Sequence, residues 1–211
     1  KDIHLLSSDP SHSAAIVTQA KSEGNSGRIS VKSSQNLLLE GNSGIFTKTS
    51  GTGTSGDVSV VGKNIHLLGS DPNKSASIQT YTESGGSSGS VLVKGGQNLL
   101  LEGNSSILTT TSGMGSSGNI SVIGKDIHLL GSDPNENATI QTYTTAQGNS
   151  GSLSVKSFGD FTVKGNATLE TSTSGSGNSG RINIDSVSVN IVGDGDYAYI
   201  STYSDSAGHS G

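Results

Sequence analysis

DVSVVGKNIHLLGSDPNKSASIQTYTESGGSSG, residues 57–89, is written a second time as NISVIGKDIHLLGSDPNENATIQTYTTAQGNSG, residues 119–151. The two copies start 62 residues apart, and a shorter relative, SVLVKGGQNLLLEGNSSILTTTSGMGSSG, fills residues 90–118. Outward from this stretch, the rest of the chain is further copies of the same two units. They are residues 1–27 (lacking the first run), 28–56, 57–89, 90–118, 119–151, 152–180 and 181–211. Lengths alternate between 29 and 33, and the last unit has 31. A fixed internal period is the mark of a repeat architecture.

Each unit holds three short runs in which apolar residues alternate, the pattern of half-buried strands. The first is x-V-x-V, as Val58 and Val60; the second is I-x-L, as Ile65 and Leu67; the third is I-x-T-x-T, as Ile78, Thr80 and Thr82. Runs this short cannot bury themselves. Each run must pair in parallel with the same run one coil away. The pattern predicts an all-β fold, a right-handed parallel β-helix with three faces. It would form one continuous solenoid over residues 1–211. Coils stack ~4.8 Å apart, so seven of them make a rod roughly 30–35 Å long.

Composition agrees. Hydrophobic residues are 29% and aromatics 4%, too few for a thick core but enough for narrow internal columns. A net charge of −5 gives no basic footprint for nucleic acid. No apolar run is long enough to span a membrane. With no cysteine there are no disulfides.

Two corners punctuate the coil. One is G-x-S-G, ending at Gly56, Gly89, Gly118, Gly151 and Gly180, where at least one glycine is expected at positive φ. The other is E-G-N-S in short coils and G-S-D-P in long ones. The long form carries four extra residues and all three prolines, Pro10, Pro72 and Pro134.

The pattern SG-x-G-N-S-G-x-I-x-[VI], then L-x-L-x-x-G, then I-x-T-x-T resembles the repeats of large secreted filamentous-haemagglutinin-like proteins, especially the cyanobacterial-type GNAG arrays. The resemblance covers the whole chain. It implies export by two-partner secretion, display on or release from the cell surface, and roles in adhesion or matrix building.

Four outward constellations are candidates for function. The second run places His4, Leu38, His66, Leu100 and His128 in one column, with Leu6, Leu68 and Leu130 close by. Histidines in every second coil stand ~9.6 Å apart and cannot share one zinc. Exposed leucines in register would instead form an association stripe, made of Leu38, Leu68, Leu100 and Leu130 with His66 and His128. Asp9, Asp71 and Asp133, with Asn73 and Asn135, read as turn residues. Asp194 and Asp196 in GDGDY are weak calcium candidates; no other metal and no cofactor is implied. Thr109 and Thr111 belong to a run that suits an ice-binding face only if it points outward. Parity puts them beside Ile107 and therefore inside, since the opposite parity would bury Lys48 and Glu170. Tyr81, Tyr143 and Tyr203, with Tyr197 and Tyr199, form an outward aromatic set that could stack sugars or simply cover neighbours.

Arg28 and Arg181 are the only arginines, and no carboxylate pair sits at a non-repeating place with a base beside it. The expectation is a non-catalytic shaft of an extracellular filament or cell-surface adhesin, either continued in a longer array or associating end to end. Cell-surface glycans are possible partners. The alternative is a carbohydrate-binding or ice-binding module.

Overall fold

An isolated run of four to seven residues leaves ladder groups unpaired along both edges. Stacking satisfies those groups and the apolar side chains together. A computed structural model describes residues 1–132, 135–205 and 208–211, with twenty strands in three sheets and no helix among those residues. The first sheet has six strands: Ile29–Lys32, Val58–Gly62, Val91–Gly95, Ile120–Gly124, Leu153–Ser157 and Ile182–Asp185. The second has seven: Ile3–Ser7, Asn36–Gly41, Asn64–Gly69, Asn98–Gly103, Asp126–Leu130, Asp160–Lys164 and Ser188–Val192. The third also has seven: Ala14–Ala20, Ser43–Thr49, Ala76–Thr82, Ser105–Thr111, Ala138–Thr144, Ala167–Thr173 and Ala198–Ser204. In every sheet, coil follows coil in chain order. The chain is a three-sheeted parallel β-solenoid of about seven coils.

Register carries the period. In the first sheet Ile29 faces Val58, Val58 faces Val91 and Val91 faces Ile120, steps of 29, 33 and 29. In the second sheet Leu37 faces Ile65 and Ile65 faces Leu99, steps of 28 and 34. The surplus of the long coil is therefore not four residues at one corner. Its second corner is five residues longer, and its first corner is one shorter. In short coils the extra residue follows Ser33 and Ser157, which themselves keep register with the long coil, as Ser157 does on Gly124. Their buried hydroxyls each sit 2.7–2.9 Å from two backbone carbonyls.

Inside, equal positions form columns. Val58, Ile65, Ile78, Val91, Leu99 and Ile107 are all fully enclosed, and the same holds coil after coil to Leu169. In the last coil Val189 and Ile191 are 47% and 49% exposed, because only one neighbouring coil covers them. The threonines of the third strand are inside, as parity requires: Thr80, Thr82, Thr109 and Thr111 are 0% exposed.

Those threonines close the G-x-S-G corner. Thr47, Thr80, Thr109, Thr142 and Thr171 each donate their hydroxyl to the carbonyl of the closing glycine nine residues on, at 2.6–2.7 Å. The corner serine stitches one coil to the next. Ser26, Ser88, Ser117 and Ser150 accept the N–H of Gly56, Gly118, Gly151 and Gly180 at 3.0 Å.

The glycines at this corner are there for a different reason than the sequence suggests. Among the described residues none of them has positive φ; that conformation belongs to Gly41, Gly103 and Gly165 of the short second corner, at +67°, +61° and +68°, and to Gly195. What the G-x-S-G glycines provide is closeness. A Cβ on Gly118 would stand 2.1 Å from the Gly89 carbonyl oxygen, and one on Gly151 would stand 1.9 Å from that of Gly118. Stacked carbonyls leave no room for a methyl.

Candidate functional site

With a uniform interior, any function has to sit on the outer faces and corners. The outer face of the second sheet carries two columns. His4, Leu38, His66, Leu100, His128 and Thr162 stand in one; Leu6, Glu40, Leu68, Glu102, Leu130 and Lys164 stand in the other. Because short and long coils alternate, these types form two interleaved zigzags. One alternates histidine with glutamate: His4 Nε2 lies 3.0 Å from Glu40 Oε2, and His66 Nε2 lies 3.0 Å from Glu102 Oε2. His128 meets the Lys164 column position instead, and the pattern stops there. The other zigzag is leucine. Leu38, Leu68, Leu100 and Leu130 are half-buried rather than exposed; Leu38 and Leu100 stand between histidines, Leu68 between glutamates, and Leu130 between Glu102 and Lys164. The stripe anticipated from sequence is thus narrower and more polar-edged than expected. Surface pairs of this kind contribute about 0–1 kcal/mol each.

The long second corners hold their aspartates in turns. Asp9 Oδ1 accepts the Ser11 N–H at 2.8 Å, and Asp71 Oδ1 accepts the Asn73 N–H at 2.8 Å. The Ser11 N–H is the main cause that lowers Asp9 below the usual carboxylate value, and the Lys74 ammonium is the main cause for Asp71. Short coils support these loops: Asn42 Nδ2 donates to the carbonyls of Pro10 and His12, and Asn104 Nδ2 donates to that of Pro72. Asp133 and Pro134, the third pair of this series, lie outside the described residues. Asp194 has φ +24° and stands 3.5 Å from Lys164 Nζ. Asp196 donates its backbone N–H to the Gly193 carbonyl. Among the described residues no three His, Asp or Glu gather in a metal-ligating group.

On the third sheet, Tyr81, Tyr143 and Tyr203 share an outward column, spaced by Thr110 and Ser172. Their phenols are tied down along the axis: Tyr81 Oη lies 3.3 Å from Ser112 Oγ and Tyr143 Oη 3.2 Å from Ser174 Oγ. Lys48 Nζ sits 5.4 Å from the Tyr81 ring centre and 2.7 Å from Glu83. A groove of about 330 Å³ runs between Val17, Phe46, Lys48, Gln79 and Tyr81. Three coils on from Gln79, Glu170 points outward yet is only 8% exposed. Gln141 Nε2 donates to it at 2.7 Å and Ser172 Oγ at 2.5 Å. Burial raises the phenol of Tyr199 above its usual range, and the charge of Glu170 raises it further; the same two causes act on Tyr203. Sequence reading missed this covered carboxylate. Glu170 occupies an outward position, and only the neighbouring coils reveal that Gln141 and the tyrosines close over it.

No family model, curated protein or solved structure matches this chain. The reading of function rests on the geometry. Among the described residues no helix is long and apolar enough to cross a membrane.

Proposed function

We propose that this chain is a non-catalytic structural shaft, part of an extracellular filament or a cell-surface adhesin of filamentous-haemagglutinin-like type. One observation carries the reading. Coil-to-coil bonding is repeated with little change from end to end, with three parallel ladders along the axis and a serine stitch at five of the G-x-S-G corners. A rod built this way spends its regularity on stiffness. Its outer faces are mostly self-satisfied: the histidines pair with glutamates, the tyrosines with serines, and Glu170 with Gln141. The test is antibody labelling of intact source cells, viewed by electron microscopy. Label on elongated surface material supports the proposal. Label that appears only after permeabilisation sinks it.

A carbohydrate-binding face is the second reading, favoured by the tyrosine column beside the 330 Å³ groove. An ice-binding face on the third sheet is disfavoured, since Thr109, Thr111, Thr142 and Thr144 are wholly enclosed.

A further inference from the structure

Lys32, Lys63, Lys94, Lys125 and Lys156 follow one another at a constant 31 residues, although the coils that carry them alternate between 29 and 33. The constancy has a geometric meaning. In short coils the lysine stands outward on the first strand, in one column with Val61 and Ile123. In long coils it has moved two places on, to the corner between the first and second strands. Each of five successive coils therefore sets one lysine on the same edge of the rod, alternately to either side. All five are exposed. Neighbours in the row are one coil apart, ~4.8 Å along the axis, and those in one column ~9.6 Å.

Most other cations of the chain have a carboxylate close by: Lys48 with Glu83, Lys74 with Asp71, Lys164 with Asp194 and Arg28 with Asp57. In the row, Lys125 lies 3.4 Å from Asp126 and Lys156 2.7 Å from Asp185. Lys32, Lys63 and Lys94 have no carboxylate within 4.0 Å among the described residues. Three uncompensated ammonium groups on consecutive coils repel one another, and the fold gains nothing in return. They suit an extended partner with evenly spaced negative charge.

The face beside the row narrows the partner further. A groove of about 420 Å³ there is lined by Ser59, Ser90, Ser121 and Asn119 with Val58, Val91 and Leu92, and the Arg28–Asp57 ion pair borders it, the Asp57 carboxylate neutralised at 3.3 Å. Hydroxyls and an amide beside an apolar patch match the hydroxyls and ring face of a sugar, and the paired Asp57 leaves the lysines as the uncompensated charge. From Ser30 to Ile123 no outward residue of the first sheet is aromatic, so bases have nothing to stack on. One charge per coil, ~4.8 Å along the axis, is also sparser than the one charge per ~1.7 Å of duplex DNA, and the chain's net charge is −5. Lysine supplies compact point charges on flexible stems, which can adjust to carboxylates spaced along a chain.

We propose that Lys32, Lys63 and Lys94, with the adjoining first-sheet groove, form a track for a linear polyuronate, an acidic polysaccharide with one carboxylate on each sugar. The proposal goes beyond the shaft reading and does not depend on it, because binding is measured in solution on the 211-residue chain. The experiment is calorimetric titration with sodium polygalacturonate, calcium-free and at low salt. The expected result is binding that weakens as sodium chloride is raised. The triple variant Lys32→Ser, Lys63→Ser, Lys94→Ser should lose about tenfold in affinity, whereas the charge-matched Lys21→Ser, Lys74→Ser, Lys164→Ser should stay within about twofold. Circular dichroism checks that both triples are folded, and the single change Lys63→Gln should show part of the loss. No binding by the unmodified chain, or equal loss in both triples, overturns the proposal. So does tighter binding of a poly-dT oligonucleotide, or of phosphatidylserine vesicles, than of polygalacturonate.

Discussion

One carbon atom separates a tolerated glycine from an indispensable one in this fold. At Gly118 a Cβ would sit 2.1 Å from a stacked carbonyl, whereas at Gly85 nothing lies within 4 Å. Gly118→Ala should cost about 1–3 kcal/mol, as overpacking does, and Gly85→Ala should be near neutral. Chemical denaturation of the two variants checks the contrast, and equal losses would refute the close-packing account. Hydroxyls divide in the same way. Thr109 satisfies the Gly118 carbonyl at 2.7 Å, but the buried Ser105 hydroxyl has no partner among the described residues and lies in register with Ala76 and Ala138. Thr109→Val should destabilise by about 1–2 kcal/mol, and Ser105→Ala should be neutral or stabilising. A thermal melt that reverses this order would overturn the assignment of roles.

At the scale of a strand, Asp2, Asn36, Asn64, Asp126 and Asp160, at or just before the start of second-sheet strands, each accept a bond from the next coil. Asn36 Oδ1 accepts the amide of Asn64 at 2.9 Å, and Asp126 Oδ1 accepts the Asp160 N–H at 3.1 Å. That backbone bond is the main cause holding Asp126 below its ordinary value of 3.8. A carboxyl lowered in the folded state stabilises the fold above its unfolded value. The contribution is lost as pH falls through the lowered folded value. Asp9, Asp71 and Glu83 are shifted in the same direction. Stability should therefore decline as pH drops below about 4. Asp126→Asn should keep the ladder bond, as Asn64 Oδ1 does toward the Asn98 N–H at 3.4 Å, and reduce the slope of that decline. Melting temperatures between neutral pH and the acid range test this, and an unchanged slope would refute it. At this scale the strands were legible in advance, because period-two alternation names the buried face without reference to any partner. The corners were not. Five residues added at one corner and one removed at the other look like four until the register of Leu37 on Ile65 is known.

Over the whole molecule, each coil is held by its two neighbours, so the centre has the most to lose. Ile127 is 0% exposed, with Leu99 on one side and Phe161 on the other. Ile127→Asp places a charge where neither water nor a counter-ion reaches. It should cost more than about 4 kcal/mol and remove the cooperative transition. Val187 is 79% exposed, and Val187→Asp should change little. Circular dichroism melts of the pair compare a column with a surface, and a folded Ile127→Asp rod would contradict the columnar core.

The amino-acid sequence alone determined the repeat, the three strands of each coil, the inward parity of the threonines and the stacking that follows. These depend on local alternation and on a period that no other packing can satisfy. Tertiary structure alone decided why the G-x-S-G glycines are glycine, how histidine meets glutamate across coils, how Glu170 comes to be covered and where the lysines line up. Each of these depends on which residue of one coil lies over which residue of the next. That register is set by corner geometry 28 to 34 residues away along the chain, beyond the reach of any local pattern.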